Sequence, residues 1–171
     1  VALDDITGKA WPLQSHAWQT WGRTEQANLR SLLYWLQGRA AALWVPSWAD
    51  DLELIEPALT TSSGIVVAWA GVARFGRAQA GRRHLRIELF SGQVLYRQLI
   101  EATELDPQRE FLQLDVPHGI ALQPSAIRLI SWMVLARLSS DTVELSHETD
   151  GEGVARCRVS FAGVGAEESE P

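Results

Sequence analysis

A run of carboxylates at residues 50–56 is the first group of side chains in this sequence that could do chemistry. Asp50, Asp51, Glu53 and Glu56 lie close together along the chain. Oxygen ligands at this density could hold Ca²⁺, and two of the carboxylates could flank a glycosidic bond. The carboxylates of glycosidases are brought together by the fold, however. A dense run in sequence therefore favours an acidic loop that faces solvent or a partner.

Residues typical of nucleophilic or metal-dependent catalysis form no recognisable pattern. Nucleophilic hydrolysis needs a serine or cysteine with a base and an orienting acid, and no G-x-S-x-G turn occurs. Ser47, between Pro46 and Trp48, is placed as turn residues are. The four histidines, at positions 16, 84, 118 and 147, lack the spacing of a zinc site. The sequence therefore predicts no catalytic residue, no cofactor site and no metal site.

His147 and Asp150 are the one pair that could act as acid and base. The alternation along Asp141–His147 places His147 in phase with Val143 and Leu145. That phase favours a histidine packed in the core over a catalytic one.

Arginine is concentrated in a single segment of thirteen residues, which contains Arg74, Arg77, Arg82, Arg83 and Arg86. Guanidinium groups bind carboxylates and phosphates through paired hydrogen bonds. Three interpretations follow: a solvated loop, a salt contact between subunits with acids such as Asp50–Glu56, or a nucleic-acid surface. The last has least support, because the aromatic residues that single-strand binders interleave with their arginines are missing beyond Phe75.

Composition sets the limits within which these motifs act. A chain of 171 residues suits one domain. A net charge of −6 argues against binding to duplex DNA, and all basic residues but Lys9 are arginine. The single Cys157 excludes an internal disulfide framework and a cysteine zinc site. The sequence predicts no membrane span and no signal peptide; because it starts at Val1, either a methionine was trimmed or the chain is part of a longer protein.

Eight tryptophans are unusually many for a chain of this length. Each indole ring can bury ~150–250 Å² of surface. Rings in this number indicate a tryptophan-anchored core, an interface with another protein, or a platform that stacks on sugars.

One helix is predicted, over Glu25–Gln37. Thr24 is a suitable N-cap, and Gly38 stands where a C-terminal cap belongs. Apolar residues recur along one face at i, i+3, i+4 and i+7, namely Leu29, Leu32, Leu33 and Leu36.

The rest of the chain changes to the two-residue period of strands. Ile127–Leu138 is apolar on both faces and long enough for a helix, but its composition favours a buried strand. Turn signals stand at Ser91-Gly92, Pro117–Gly119 and Asp150–Gly153. The other predicted strands are Ala42–Val45, Ile65–Val72, His84–Phe90, Val94–Ile100, Phe111–Val116, Asp141–His147 and Val154–Phe161.

Together these elements predict a mainly β fold, a sandwich or barrel of about nine strands with one short α-helix near the N-terminus. We expect residues 1–23 to form an extended lead-in that packs Trp11, Trp18 and Trp21 on other parts of the protein. Residues 24–162 would form a single β-rich domain, and residues 163–171 a disordered acidic tail.

Two segments resemble tail-tip or baseplate structural proteins of long, non-contractile-tailed bacteriophages and prophages. Members of that group often carry (F/L)W-x-P-(S/T)-W-x-x-D after a short helix, and Leu43–Asp51 is LWVPSWADD. They often end in a hairpin of the form D-x-V-x-(I/L/F)-x-H-x-T-D, and Asp141–Asp150 is DTVELSHETD. The similarity extends over about residues 24–162.

The resemblance implies a virion structural protein that acts by assembly and not as an enzyme. Such proteins form closed rings around the tail axis, contact other tail proteins, and are assembled in the cytoplasm of the bacterial host. A ring contact joins two different surfaces, so an arginine loop on one side could meet an acidic run on the other. Charge reversal at Arg82 and Arg83 should then weaken assembly. The expected interface and packing residues are Trp44, Pro46, Trp48, Asp50, Asp51, Arg74, Arg77, Arg82, Arg83 and Trp132.

A carbohydrate-binding β-sandwich is the alternative function, in which exposed tryptophans stack on glycans of the host surface. The exposure of Trp44, Trp48 and Trp69 separates the two hypotheses. Coplanar exposed rings favour sugar binding, and buried rings favour assembly.

Overall fold

Nine strands and one α-helix make up most of the chain. The computed structural model describes residues 13–76, 81–148 and 153–164. The strands pair antiparallel in an open order, and those described do not close into a barrel. The prediction of a mainly β fold with about nine strands and one short helix is confirmed. The elements are β1 (Leu13–Trp21), α1 (Gly22–Leu36), β2 (Ala42–Pro46), β3 (Gly64–Ala68), β4 (His84–Leu89), β5 (Val94–Asp106), β6 (Arg109–Leu114), β7 (Ile127–Leu138), β8 (Leu145–His147) and β9 (Val154–Gly163).

The elements belong to two compact units. The first unit draws on residues 1–45 and 135–171, and the second on residues 46–134. Strands β2 and β7 each run from one unit into the other. The predicted domain boundary after residue 23 falls inside α1, and the one after residue 162 falls inside β9.

In the first unit, β9 lies between β1 on one side and β8 with the end of β7 on the other. All nine residues of β1 pair with β9 without interruption, from Leu13 opposite Ala162 to Trp21 opposite Val154. Residues 13–21 are therefore a sheet strand and not the expected lead-in; Trp11 lies outside the described residues. Side chains of β9 alternate as predicted, because buried Ala155, Cys157, Val159 and Phe161 alternate with outward-facing arginines.

Helix α1 starts earlier than the sequence predicts. It begins at Gly22, and the Trp21 N–H is bound by the Glu25 carboxylate (2.8 Å), so Thr24 is not the N-cap. The apolar stripe is correct at its two buried positions, Leu29 and Leu36. At the C-terminal end the backbone turns left-handed at Gln37 and Gly38, as expected of a helix that ends before glycine.

The expectation for His147 is wrong. Only Leu145–His147 of the predicted strand forms β8, and His147 is exposed rather than packed in the core. Its Nε2 lies 3.3 Å from Arg30 Nη2 on α1. Asp150, its suggested acid–base partner, lies outside the described residues, as does most of the predicted turn at 150–153.

In the second unit the strand order is β7-β4-β5-β6-β3. The preference for a strand over a helix at Ile127–Leu138 is confirmed. The core of this unit is aliphatic, with one indole ring, and fifteen buried residues between Leu52 and Trp132 contribute to it. Strand β5 continues past the predicted end at Ile100 to Asp106, with irregular register where it leaves β4 to pair with β6.

Strand β3 is shorter than predicted because the chain is pulled out of the sheet after Ala68. A left-handed Gly71 leads into a short π-helical turn, Val72–Gly76. The fully buried carboxylate of Glu110 accepts hydrogen bonds from the Gly71 and Val72 N–H groups, each 2.9 Å long. A buried charge is tolerated where backbone donors satisfy it.

At the C-terminal end, β9 continues one residue past the predicted domain boundary. Gly163 is its last residue, and the Val164 N–H donates to the Leu135 carbonyl (2.8 Å). The remainder of the predicted acidic tail, residues 165–171, lies outside the described part of the chain.

Replacing Gly64 by alanine should destabilise the second unit. A Cβ atom at Gly64 would lie 2.2 Å from Cζ of Phe111, whose ring covers this glycine from β6. We expect a loss of roughly 1–3 kcal/mol in unfolding free energy, measured by urea denaturation. In a double-mutant cycle, Phe111→Ala should remove most of that penalty. Strictly additive losses would show that the ring is not the cause.

Candidate functional site

The segment after β2 follows the edge of β7 in the second unit. Its backbone forms ladder-like hydrogen bonds, from Ser47 N–H to the Trp132 carbonyl (2.8 Å) and from Asp51 N–H to the Ile130 carbonyl (2.9 Å). Two carboxylates complete the row: Asp51 Oδ2 accepts the Trp132 N–H (2.8 Å) and Asp50 Oδ1 the Ile130 N–H (3.2 Å). The two carboxylates thus accept the β7 N–H groups that backbone carbonyls of a neighbouring strand would otherwise accept.

Trp48 has a left-handed backbone conformation, and its side chain projects from this segment. Its φ is +58°, a conformation that costs a non-glycine residue about 1–2 kcal/mol. The turn is held by Ser47, whose hydroxyl donates to the Asp51 carboxylate and accepts from the Ala49 N–H (3.2 Å). Even so, 54% of Trp48 remains exposed. A strained backbone that presents a large aromatic ring to solvent is typical of a functional site.

A buried group of charges lies beneath the ring. The Arg86 guanidinium stacks on Trp48, 4.7 Å from its centroid. Glu88 bonds both Arg86 and Arg128, and Arg86 and Glu88 are each less than a tenth exposed. The hydrogen bond from Arg86 lowers the pKa of Glu88 below its ordinary value; Arg128 adds to this effect, and burial opposes it.

A second exposed ring lies beside this group. Tyr96 on β5 stands directly opposite Arg86 on β4 and is 59% exposed. Residues directly opposite on antiparallel strands share one face of the sheet, with Cβ atoms about 4.5–5.5 Å apart. We call the surface formed by Trp48, Tyr96, Arg86, Glu88 and Arg128 the Trp48 surface.

The expected interface residues are only partly brought together. Trp48, Asp50, Asp51 and Trp132 all meet at the edge of β7. The indole of Trp132 is buried in the core, and Arg82 stacks on it at 5.8 Å. Of the expected residues on β2, Trp44 is half-buried and Pro46 is buried.

The arginine segment does not act as one surface. Arg74 makes a paired hydrogen bond with Glu104 of β5 (2.7 and 2.6 Å), and Arg77 lies outside the described residues. Arg83 is exposed and has no ion-pair partner in the part of the chain that the structure describes. Arg82 and Arg83 line a groove of about 300 Å³ beside the irregularity in β5.

The acidic run is also largely occupied within the protein. Asp50 and Asp51 bind the β7 backbone, and Glu56 pairs with Arg109 (2.6 Å). Within residues 13–76, 81–148 and 153–164, no group of three or more His, Cys, Asp or Glu side chains could hold a metal ion. No helix in those residues is long and apolar enough to cross a membrane.

The second resembling segment, which begins at Asp141, makes a structural contact in the first unit. Asp141, its first residue, accepts a hydrogen bond from the Arg39 N–H (2.9 Å) just after α1 ends. Its carboxylate lies so close to Gly38 that a Cβ there would be 2.6 Å from Oδ1. Asp141 thus fixes the chain where the helix ends.

The sequence-based prediction missed Glu88, Arg128 and Tyr96 as site residues, and it treated Arg86 only as a member of the arginine segment and of the predicted strand His84–Phe90. A signal was available, because Arg86 and Glu88 are opposite charges two residues apart on one strand face. The sequence of β4 itself does not predict that Trp48, nearly forty residues earlier, packs on Arg86.

No protein-family model matches the chain, and no curated protein is similar enough to count as a relative. The residues of the site are therefore interpreted from their own geometry and from the two resembling segments.

Replacing Trp48 by glycine should cost less stability than replacing it by alanine. Both changes remove the ring from Arg86, but only glycine adopts φ of +58° without strain. We expect Trp48→Gly to be more stable than Trp48→Ala by about 1 kcal/mol in chemical denaturation. Ala49→Gly, at the next residue, is the control and should show the usual loss caused by glycine. If the alanine variant were as stable as the glycine variant, the backbone at residue 48 would not be strained.

Glu88 should stabilise the protein only above mildly acidic pH. Its folded pKa lies below the ordinary value of 4.5, so its contribution is present above that pH and is lost as the pH falls through the folded pKa. In urea denaturation, Glu88→Gln should be clearly less stable than the parent near neutral pH. The difference should shrink as the pH falls below 4.5 and through the folded pKa. Glu53→Gln, an exposed carboxyl, is the control; an equal, pH-independent loss in both variants would refute the ionic origin.

Proposed function

We propose that this protein is a structural component of the tail tip or baseplate of a long, non-contractile-tailed phage or prophage. It acts through assembly with its own copies and other tail proteins, without catalysis, in a particle assembled in the bacterial cytoplasm. The proposal begins from the two resembling segments, Leu43–Asp51 and Asp141–Asp150. In the structure both contain carboxylates that hold the backbone in place.

The observation that carries the proposal is the exposed ring of Trp48 on a strained turn above buried charges. A ring that packs between subunits becomes buried only in the assembly, so its exposure in the single chain agrees with assembly as well as with sugar binding. Tryptophan, tyrosine and arginine are the residues that dominate the binding energy of protein interfaces. A rigid ring loses little conformational entropy when a partner covers it. Trp48 is held by its turn and by Arg86, so it is ready to enter a pocket on another subunit.

Contacts within the chain reduce the number of charged residues that we expect to bind another subunit. Asp50, Asp51 and Arg74 already have partners inside the chain. Arg83, beside Arg82 in its groove, is the guanidinium best placed to receive a carboxylate from another subunit.

Glycan binding is the second candidate, and it has an observation in its favour. Trp48 and Trp69 are 54% and 42% exposed, so the burial expected of packing anchors is absent from these two rings. Trp48 and Tyr96 flank charged hydrogen-bonding groups, as aromatic residues do in sugar sites. The Trp48 surface would then bind a bacterial surface polysaccharide.

Removing Trp48 should weaken self-association of the purified protein. Sedimentation velocity over a range of concentrations should show an oligomer for the parent chain and a shift toward smaller species for Trp48→Ala. Phe90→Ala, which removes an exposed ring from the β4–β5 turn, is the matched control and should assemble normally. The double reversal Arg82→Glu/Arg83→Glu should also weaken association, and added salt should reproduce part of that effect.

A protein that remains monomeric at every concentration, with or without Trp48, would rule out homo-oligomeric assembly. Titration with bacterial cell-wall polysaccharide, followed by tryptophan fluorescence, separates the second candidate. A response that Trp48→Ala abolishes in a monomeric protein would favour glycan binding.

A further inference from the structure

Strand β1 forms an unprotected edge of the sheet in the first unit. Among residues 13–76, 81–148 and 153–164, β9 is the only strand hydrogen-bonded to β1. The other side of β1 therefore presents a row of backbone N–H and C=O groups. Helix α1 makes its side-chain contacts elsewhere: Gln26 bonds the Gly153 carbonyl just before β9 (2.7 Å), and Arg30 contacts His147 on β8, which β9 separates from β1.

This edge lacks the devices that normally prevent pairing with another chain. Natural edge strands are short, bulged, or interrupted by proline or charge. Strand β1 is nine residues long, its register with β9 is unbroken, and LQSHAWQTW contains no charged residue, proline or glycine. An edge of this kind is a template for a further strand.

The sequence of β1 is complementary to itself when reversed. In an antiparallel pair with full overlap, Ala17 lies on a two-fold axis and meets its own copy. Ser15 then lies opposite Gln19, and Leu13 opposite Trp21. Leu13 and Trp21 are 66% and 63% exposed in the single chain, and this arrangement gives each of them an apolar neighbour on the same face.

We propose that two copies of this protein join through their β1 strands, antiparallel and centred on Ala17, to form one continuous sheet. The contact is isologous, so it closes with two subunits. It differs from the contact of the proposed function, which uses the Trp48 surface with Arg82 and Arg83 and would build a ring. The two contacts are independent, and each can fail without the other.

A cysteine at position 17 tests both the contact and its register. Opposite residues have Cα atoms about 4.5–5.5 Å apart, which is within disulfide range. Ala17→Cys should therefore oxidise to a covalent dimer on a non-reducing gel. The control is Gln19→Cys, whose copies would stand about 13 Å apart and should not link. Native Cys157 is 5% exposed and burial raises the pKa of its thiol, so it should not compete.

A charge at the same position should separate the copies. Ala17→Glu leaves each chain folded, because Arg158 lies opposite residue 17 on β9, but it brings two carboxylates together on the axis. We expect the dissociation constant measured by sedimentation to rise about tenfold or more, while the uncharged Ala17→Gln keeps the parent value. Trp48→Ala should leave the Ala17→Cys cross-link intact.

Two results would overturn the proposal. One is the absence of a cross-link in Ala17→Cys, or a cross-link that Gln19→Cys forms equally well. The other is a parent dimer whose dissociation constant is the same in Ala17→Glu and Ala17→Gln.

Discussion

The hydrogen-bonding demand of β7 is the constraint on which the Trp48 surface depends. A buried strand leaves N–H groups along its edge that cost free energy unless they are bonded. Pro46 ends β2, and the following segment meets this demand with side-chain oxygens from Asp50 and Asp51. Because two carboxylates serve the strand, the backbone between Ser47 and Asp51 is free to turn left-handed. That turn lifts Trp48 out of the sheet.

The same principle explains why most charges of the second unit are satisfied inside it. Carboxylates bind backbone amides at Glu110 and Asp51, and they bind guanidinium groups at Glu88 and Glu104. A buried ion pair is stable only when its remaining hydrogen bonds are met, and Glu88 meets this condition with two arginines. Such pairing stiffens the outer face of β4 and β7. The rings above it therefore present a defined shape to a partner.

Features that depend on residues close together in sequence could be predicted, and features that depend on specific side-chain contacts could not. Alternation located β4 and β9, because burial on one face leaves a two-residue period in the sequence. Strand β7 is apolar on both faces and has no such period, so its composition located it. The apolar stripe located α1, but its start depends on Glu25 bonding back to Trp21, a contact that propensity for an N-cap at Thr24 does not describe.

The candidate site was less predictable, because its contacts join residues far apart in the chain. Trp48, Asp50 and Asp51 do lie close together, but the contacts that hold them, with Arg86 and the backbone of residues 130–132, could not be read from their own segment. His147 shows the limit of periodicity, because a strand of three residues offers no buried face for an alternating pattern to fill. Arg74 was expected to face another subunit, and Glu104 of its own chain binds it instead.

The division of the chain into units has a consequence for how the protein is made. Residues 46–134 are contiguous, so the second unit can fold as soon as that stretch has emerged from the ribosome. The first unit pairs β1 with β9, and Ser15 and Ser160, which are hydrogen-bonded, stand 145 residues apart in sequence. Closing so long a loop is slow. The uncharged β1 must therefore wait until β9 has been synthesised, and during this interval a nascent chain would gain most from a chaperone.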